Sequence, residues 1–336
     1  MVIDEYRDIN RELFFNDIIP RYRPCVFRGL CSAWPLVKKG RESSHGFAQY
    51  LLESSAGHHA DAVDIFYAPP GADGRMHYND AMNGFNFNKL KVPFSHCLER
   101  LLLAQRENPS PLIYMGSTPT EDLLPRLKHE NPMTLLGNSI KPRLWLGGKT
   151  LVQPHYDVSD NIAVVVAGRR RFTLFPPDQI GNLYVGPIDV TPAGQPMSLV
   201  PINNPDLQKF PRYADAQKNK LVVELEPGDA IFIPSLWWHG VEGLESFNGL
   251  VNYWWKSSAL ANDDPYAALI HGVLTISSLP EPERRAWKVF FDHYVFQEAG
   301  HPLDHLPESA RGVLSTMTPE LQQIIRSYLY ARMGIK

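Results

Sequence analysis

The sequence has little cysteine, and the few cysteines that it has form no recognisable framework. Cys25, Cys31 and Cys97 are the only ones in 336 residues, and their spacing matches neither a zinc motif nor an even set of disulfides. A reducing compartment is the simpler interpretation. Residues 1–13 are charged and lack the apolar stretch of a secretory signal. We therefore expect a cytoplasmic protein.

Long apolar runs and a strong net charge are also missing. No apolar run approaches the roughly 18 residues that span a bilayer, so we expect no membrane segment. The formal net charge of -3 and the pI of about 6.5 give no nucleic-acid signal, and we do not expect nucleic acid as a partner. The composition, 44% hydrophobic and 21% charged, is that of an ordinary globular protein.

Proline and aromatic residues are plentiful and indicate a β-rich core with many turns. The chain contains 29 prolines, and 11% of its residues are aromatic. The clearest strands lie between Arg143 and Trp255, with a turn at Gly168. Residues 178–218 interrupt them as a long Pro/Asn-rich loop. Loops of that length are usually functional or mobile.

The last part of the chain has the signals of helices. Asp264 is a predicted N-cap followed by proline, and Thr318 is another. Gly334 marks the end of the last predicted helix. We therefore predict a first domain over residues 1–258, with a mixed α/β N-terminal part, and a helical extension over residues 259–336.

Two histidines and one aspartate lie at matching places on predicted strands. His155 and Asp157, in QPHYDVSDN, share one face because side chains alternate along a strand. His239, in PSLWWHGVEG, follows the predicted strand AIFIPS. Two histidines and a carboxylate form the facial triad that binds Fe(II) and leaves the opposite positions open. The alternative is that an aspartate near one of 12 histidines is a coincidence and that His239 is simply a partly buried side chain.

An arginine run follows the turn at Gly168. In this run Arg170 must face opposite to Arg169 and Arg171 on the strand. A guanidinium can hold a carboxylate through two parallel hydrogen bonds, so an inward Arg170 is a candidate anchor for an anionic co-substrate. A charge run beside a turn is more often a solvated edge, and we prefer that interpretation for Arg169 and Arg171.

Two amides and a tyrosine stand out on otherwise apolar strands. Asn161 and Asn252 need hydrogen-bond partners if they are buried, which indicates either a polar pocket or an ordinary core hydrogen bond. Tyr114, in PLIYMG, is either a core tyrosine or a phenol that points into the same pocket.

These segments resemble the JmjC-type, cupin-like Fe(II)/2-oxoglutarate oxygenases. They look closest to the branch of the hypoxia-inducible-factor asparaginyl hydroxylase and its bacterial cupin-like relatives. The resemblance covers most of residues 20–256 and rests on RPCVFRGLCSAWP, YNDAMNGFNF, HYDVSDNIAVVVAGRRRFTLFPP, EPGDAIFIPSLWWHGVEG and NGLVNYWW. It implies a mainly β fold, a double-stranded β-helix (jelly-roll) barrel with flanking helices.

The resemblance also implies roles for seven residues. The iron ligands, which are also the catalytic residues, would be His155, Asp157 and His239, and the 2-oxoglutarate contacts would be Tyr114, Asn161, Arg170 and Asn252. Arg170 stands where the family has a lysine, and Val152 stands where it often has a threonine. The hydrogen bond of that threonine would be missing, or supplied by Thr150, Gln153 or water.

By resemblance, the chain is a dioxygenase that uses molecular oxygen and 2-oxoglutarate to hydroxylate an unactivated C–H bond. An amino-acid side chain of a protein or peptide is the first candidate substrate, and the long loop with Trp237, Trp238, Trp254 and Trp255 would frame its cleft. The alternatives are a small molecule, a modified RNA base, or a non-catalytic metal-binding cupin. The helical extension resembles helices through which this branch forms homodimers, with packing onto its own barrel as the alternative.

Overall fold

The computed structural model describes residues 2–72, 74–137, 139–192, 194–256 and 264–334. The internal contacts divide the chain into two units, Met1–Trp255 and Lys256–Lys336. The domain boundary that we predict at residues 258 and 259 lies outside the described residues. None of the described helices is long and apolar enough to cross a membrane.

The first unit is built mainly from β-strands. The described residues contain fourteen of them: β1 (Asp4–Tyr6), β2 (Cys25–Phe27), β3 (Ala62–Ala68), β4 (Arg75–Met76), β5 (Asn88–Pro93), β6 (Leu112–Pro119), β7 (Pro142–Gly147), β8 (Leu151–His155), β9 (Asp160–Ala167), β10 (Arg170–Phe175), β11 (Leu221–Leu225), β12 (Ala230–Ile233), β13 (Trp238–Gly243) and β14 (Asn248–Trp255). Nine form one sheet in the order β1-β2-β12-β9-β14-β7-β6-β3-β5, and five form a second in the order β11-β10-β13-β8-β4.

The two sheets share an apolar core. One cluster of buried side chains combines Val165 of β9 and Ile231 of β12 from the larger sheet with Phe172 and Leu174 of β10 from the smaller one. Facing sheets with alternating inward side chains are the usual form of such a core. The predicted mainly β, cupin-like architecture is confirmed. In the described part of the chain it consists of two sheets and not of one closed barrel.

Seven α-helices are described in the first unit, and two of them pack on the outer face of the nine-stranded sheet. The helices of the first unit are α1 (Arg11–Leu13), α2 (Pro35–Glu42), α3 (Ser44–Ser54), α4 (Phe94–Ala104), α5 (Thr120–Leu123), α6 (Leu127–Glu130) and α7 (Tyr213–Asn219). Leu36 of α2 and Phe47 of α3 pack in one cluster with Val164 and Val166 of β9. All eight residues of β9 are therefore buried, because the strand is covered on both faces.

A glycine sets how closely α2 approaches the sheet. A Cβ atom on Gly40 would lie 1.9 Å from the carbonyl oxygen of Val166. The backbone of the helix can therefore lie against β9 only with glycine at this position.

The long loop of residues 178–218 is more ordered than its composition predicts. It contains α7, and a 3₁₀ turn at Pro177–Asn182 leads into it. Leu183, Phe210 and Tyr213 are buried and share a cluster with Phe175 of β10 and Trp238 of β13. The loop is thus packed onto the smaller sheet through its own hydrophobic residues.

The second unit is helical, as the cap signals predict. It contains α8 (Pro265–Ile276), α9 (Glu281–Tyr294) and α10 (Pro319–Met333). Asp264 caps α8 by accepting a hydrogen bond from the backbone of Tyr266, and Thr318 caps α10 in the same way. No residue of these three helices is buried.

Candidate metal centre

Strand pairing brings the three predicted metal ligands together. His155 ends β8 and His239 is the second residue of β13, and these two residues are direct partners in the antiparallel pairing. Their ring centroids are 4.5 Å apart. The Nε2 atom of His239 lies 3.6 Å from Oδ2 of Asp157. The candidate ligand atoms of all three residues lie within 4.8 Å of one another.

The two histidines are oriented by the same local contact. Nδ1 of His155 donates to the carbonyl oxygen of Gln153 at 2.9 Å, and Nδ1 of His239 donates to that of Trp237 at 2.9 Å. In the neutral form of each ring, this tautomer leaves Nε2 as the nitrogen available to a metal. Burial, together with the neighbouring His239, lowers the pKa of His155 to about 4. The imidazole of His155 is therefore neutral at pH 7.

One cavity is lined by all seven residues to which the resemblance assigns a role. Its volume is about 320 Å³. Its lining includes His155, Asp157, His239, Tyr114, Asn161, Arg170 and Asn252. Six of them lie on strands of the two sheets and Asp157 follows β8, so the cavity lies between the sheets.

Arg170 is buried in this cavity without a full set of partners. Arg170 is 1% exposed. Among the described residues, its Nε and Nη2 atoms have no hydrogen-bond partner. Burial lowers the pKa of its guanidinium, and the Tyr114 phenol opposes that shift. Burial raises the pKa of Tyr114, with Arg170 acting in the opposite direction. The two side chains are thus close neighbours at one end of the cavity.

The neighbours of Arg170 lie outside, as strand alternation requires. Arg169 pairs with Glu245 at 2.8 Å, and Arg171 pairs with Glu224 at 2.8 Å. These are exposed ion pairs of the kind that contribute little to stability. The solvated edge that we expect for these two arginines is therefore present.

The two amides form a hydrogen-bonded chain along the cavity wall. Nε1 of Trp145 donates to Oδ1 of Asn252 at 2.7 Å, and Nδ2 of Asn252 donates to Oδ1 of Asn161 at 3.1 Å. Both interpretations of the amides are therefore correct, because Asn161 and Asn252 have hydrogen-bond partners in the core and also line the cavity.

Of the four tryptophans that we predict to frame the cleft, one lines the cavity. Trp237 and Trp238 are buried in separate hydrophobic clusters, and Trp255 packs against Phe14 and Phe232. Trp254 lines the cavity, and its Nε1 donates to Oδ2 of Asp157 at 3.0 Å. The prediction of a four-tryptophan cleft is wrong for the other three. Alternation from Asn252 would have placed Trp254 inward, but the sequence does not indicate its hydrogen bond.

Thr150 and Gln153 do not take the place of the threonine that the family often has at position 152. Val152 lines the cavity, whereas Thr150 and Gln153 do not. Oε1 of Gln153 instead accepts a hydrogen bond from the backbone of Ile202 at 3.3 Å. Neither of the two predicted protein substitutes reaches the site.

Comparison with known proteins shows the family to which the chain belongs. Residues 11–260 match the family model for the cupin-like domain. The chain belongs to this family, and the predicted cupin-like resemblance is confirmed.

Three curated relatives illustrate the similarity. The tRNA wybutosine-synthesizing protein 5 of Danio rerio is 36% identical over 280 residues, which is 78% of each chain. The mouse protein of that name (Mus musculus) is 26% identical over 310 residues, 84% of this chain and 91% of the relative. The lysine-specific demethylase JMJ31 of Arabidopsis thaliana is 26% identical over 335 residues, 88% of this chain and 58% of the relative. A relative named for tRNA is at odds with our expectation that nucleic acid is not a partner.

Proposed function

We propose that the chain is an Fe(II)- and 2-oxoglutarate-dependent oxygenase that hydroxylates an unactivated C–H bond. His155, Asp157 and His239 would hold the metal through two neutral imidazoles and one carboxylate, a donor set that suits Fe(II). The bound iron would supply the activation of molecular oxygen. The protein supplies the fixed ligand geometry and a cavity between two sheets.

The buried, incompletely partnered guanidinium of Arg170 is the observation that carries this proposal. An uncompensated buried charge costs on the order of several kcal/mol, so a folded protein keeps one where a counter-ion binds. In the described residues two of its nitrogen atoms have no partner, and the cavity that contains it also contains the triad. A carboxylate at Arg170 and Tyr114 would supply both the charge and the acceptors.

The charges of the proposed components balance. A divalent metal, the 2-oxoglutarate dianion, the Asp157 carboxylate and the Arg170 guanidinium together sum to zero. The remaining lining is largely aromatic and aliphatic, including Phe172, Trp145 and Ile233. A neutral assembly is the arrangement that a poorly solvated cavity tolerates best.

Anaerobic titration of the apo-protein with Fe(II) and 2-oxoglutarate tests the proposal. We expect a visible metal-to-ligand charge-transfer band in the wild type and none in His239→Ala. Arg169→Ala, which removes an exposed arginine, is the matched control and should keep the band. Tight metal binding without a band in the wild type would instead support a non-catalytic metal-binding cupin.

For the primary substrate we propose a modified nucleoside of tRNA, ahead of an amino-acid side chain. The wybutosine-synthesizing relative supports the nucleoside, because the similarity extends over 91% of its length, whereas it extends over 58% of the demethylase. The demethylase relative supports the side chain of a protein or peptide. A small molecule is the third class.

Coupled turnover separates these substrate classes. Succinate formation would be measured with bulk tRNA, with the same tRNA after nuclease digestion to nucleosides, and with a peptide mixture. We expect stimulation by intact tRNA. Stimulation by the peptides and not by tRNA would move the proposal to the side chain, and stimulation by free nucleosides to a small molecule.

We also propose that the second unit forms a homodimer contact. Large apolar side chains are widely exposed on its helices, including Leu274 at 74%, Val289 at 64% and Ile324 at 62%. Monomeric proteins rarely leave so many apolar side chains in contact with water. A second copy of the same helices would cover them symmetrically.

A further inference from the structure

We infer that Trp254 is a positioning residue that fixes the carboxylate of Asp157 through its indole N–H. The inference rests on the proposed metal site, because it assigns a task to a residue that supports one of the three ligands. Trp254 itself is not placed among those ligands.

The contact is direct and involves the oxygen that faces the histidines. Nε1 of Trp254 donates to Oδ2 of Asp157 at 3.0 Å, and the same oxygen lies 3.6 Å from Nε2 of His239. An indole nitrogen is a donor only, so Trp254 donates and the carboxylate of Asp157 accepts. Within the described chain no other hydrogen bond to the Asp157 carboxylate is found.

The backbone of Asp157 gives its side chain little support. Asp157 lies two residues beyond the end of β8, outside any strand. Its carbonyl oxygen accepts a hydrogen bond from Leu236, which holds the main chain but leaves the side-chain torsions free. The orientation of the carboxylate toward the histidines therefore depends on Trp254.

The indole is held in place from two sides. The ring of Trp145 meets it edge-on, with the centroids 5.7 Å apart, and the guanidinium of Arg143 lies over it at 5.7 Å. Arg143 is itself held by Ser117, to whose Oγ atom it donates at 2.6 Å. The packing thus holds the N–H group toward Asp157, and a group that is held in place loses less entropy on ligand binding.

Hydrogen-bonded support of this kind is measurable as metal affinity. Removing the partner of a metal ligand typically weakens metal binding by about 10–100-fold. Trp254→Phe keeps a buried aromatic ring and removes the donor. Trp255→Phe is the matched control, because Trp255 is on the same strand but packs against Phe14 and Phe232, away from the cavity lining.

The experiment is calorimetric titration of the three apo-proteins with Co(II), with the Co(II) ligand-field spectrum as a second readout. We expect the Kd of Trp254→Phe to rise by about 10–100-fold with an altered spectrum. Trp255→Phe should stay within about twofold of the wild type, because it leaves the ligands and their partners intact. Thermal unfolding of the apo-proteins would check that both variants are folded.

Three outcomes would decide between the inference and the proposed function. Equal Kd values and spectra for the wild type and Trp254→Phe would overturn the positioning role. A wild type that binds no Co(II) would overturn the metal site and the inference with it. Weakened Co(II) binding in Trp254→Phe, with no charge-transfer band in the wild-type Fe(II) titration, would support the positioning role and contradict the oxygenase.

Discussion

At the scale of single residues, the charge on Arg170 distinguishes this cavity from an ordinary core. Arg170 is buried among apolar side chains, while its neighbours Arg169 and Arg171 form exposed ion pairs. An arginine in place of a lysine offers two parallel donors and remains charged when it is buried. The co-substrate contact that we propose therefore has a different geometry from that of a lysine.

We predict that Arg170→Met raises the KM for 2-oxoglutarate by about 10–100-fold, because hydrogen bonds to charged groups contribute about 1.5–3 kcal/mol. Arg169→Met is the control, and steady-state kinetics with varied 2-oxoglutarate is the measurement. The apo-protein should not lose thermal stability in Arg170→Met, since an apolar side chain replaces an unpaired buried charge. Similar KM values in the two variants would contradict the assignment of Arg170.

Strand alternation is sufficient to place several site residues from the sequence. It separates Arg170 from its neighbours and places Trp254 on the side of Asn252, because the side-chain period of a strand is two. The prediction that Asp157 shares a strand with His155 is wrong, because β8 ends at His155 and Asp157 follows it outside any strand. Strand alternation cannot identify the partner of the Trp254 indole. That hydrogen bond joins β14 to the turn after β8, and the distance between them depends on how the two sheets pack.

At the scale of elements, the pairing of β8 with β13 builds the candidate centre. The strands around it are predictable from their β-branched and aromatic residues, but β13 is not. Its sequence, WHGVEG, contains two glycines, which weaken a strand. Pairing with β10 on one side and β8 on the other makes it a strand nevertheless. Tertiary pairing therefore overrides local preference at the strand that carries His239.

The contact between α2 and β9 gives an element-scale prediction. Gly40→Ala should lower the free energy of unfolding by about 1–3 kcal/mol, because the new Cβ atom would overlap a backbone carbonyl. Gly272→Ala in α8 meets no atom within 4 Å and is the matched helix control, expected to be neutral or stabilising. Urea denaturation measures both. An unchanged unfolding free energy in Gly40→Ala would show that α2 does not lie so close to the sheet.

At the scale of the whole molecule, the two units differ in how they treat apolar residues. In the first unit, helices and strands bury extensive apolar clusters. In the second, the three helices bury no residue within the described structure. Their caps are readable from the sequence, but the surface that covers their apolar side chains is not. A partner surface leaves no local signal in the chain that it binds.

We predict that Val289→Asp weakens or abolishes the homodimer, because Val289 is 64% exposed on α9. A charge placed in an apolar interface loses its water and finds no partner. Val222→Asp, on an exposed valine of β11 in the first unit, is the matched control. Sedimentation velocity at several protein concentrations would give the masses. A wild type that sediments as a monomer throughout would contradict the proposed dimer.

The paired histidines also share one kind of local contact. His155 and His239 are direct partners across antiparallel strands, and each ring donates to the carbonyl two residues before it. Two residues beyond His155 is Asp157, whereas two residues beyond His239 is Val241, which also lines the cavity. The two segments thus place a carboxylate after β8 and a valine on β13 at corresponding positions. The surroundings of the two histidines are therefore chemically unequal, and a metal held by both would find its third protein ligand only in the segment that follows β8.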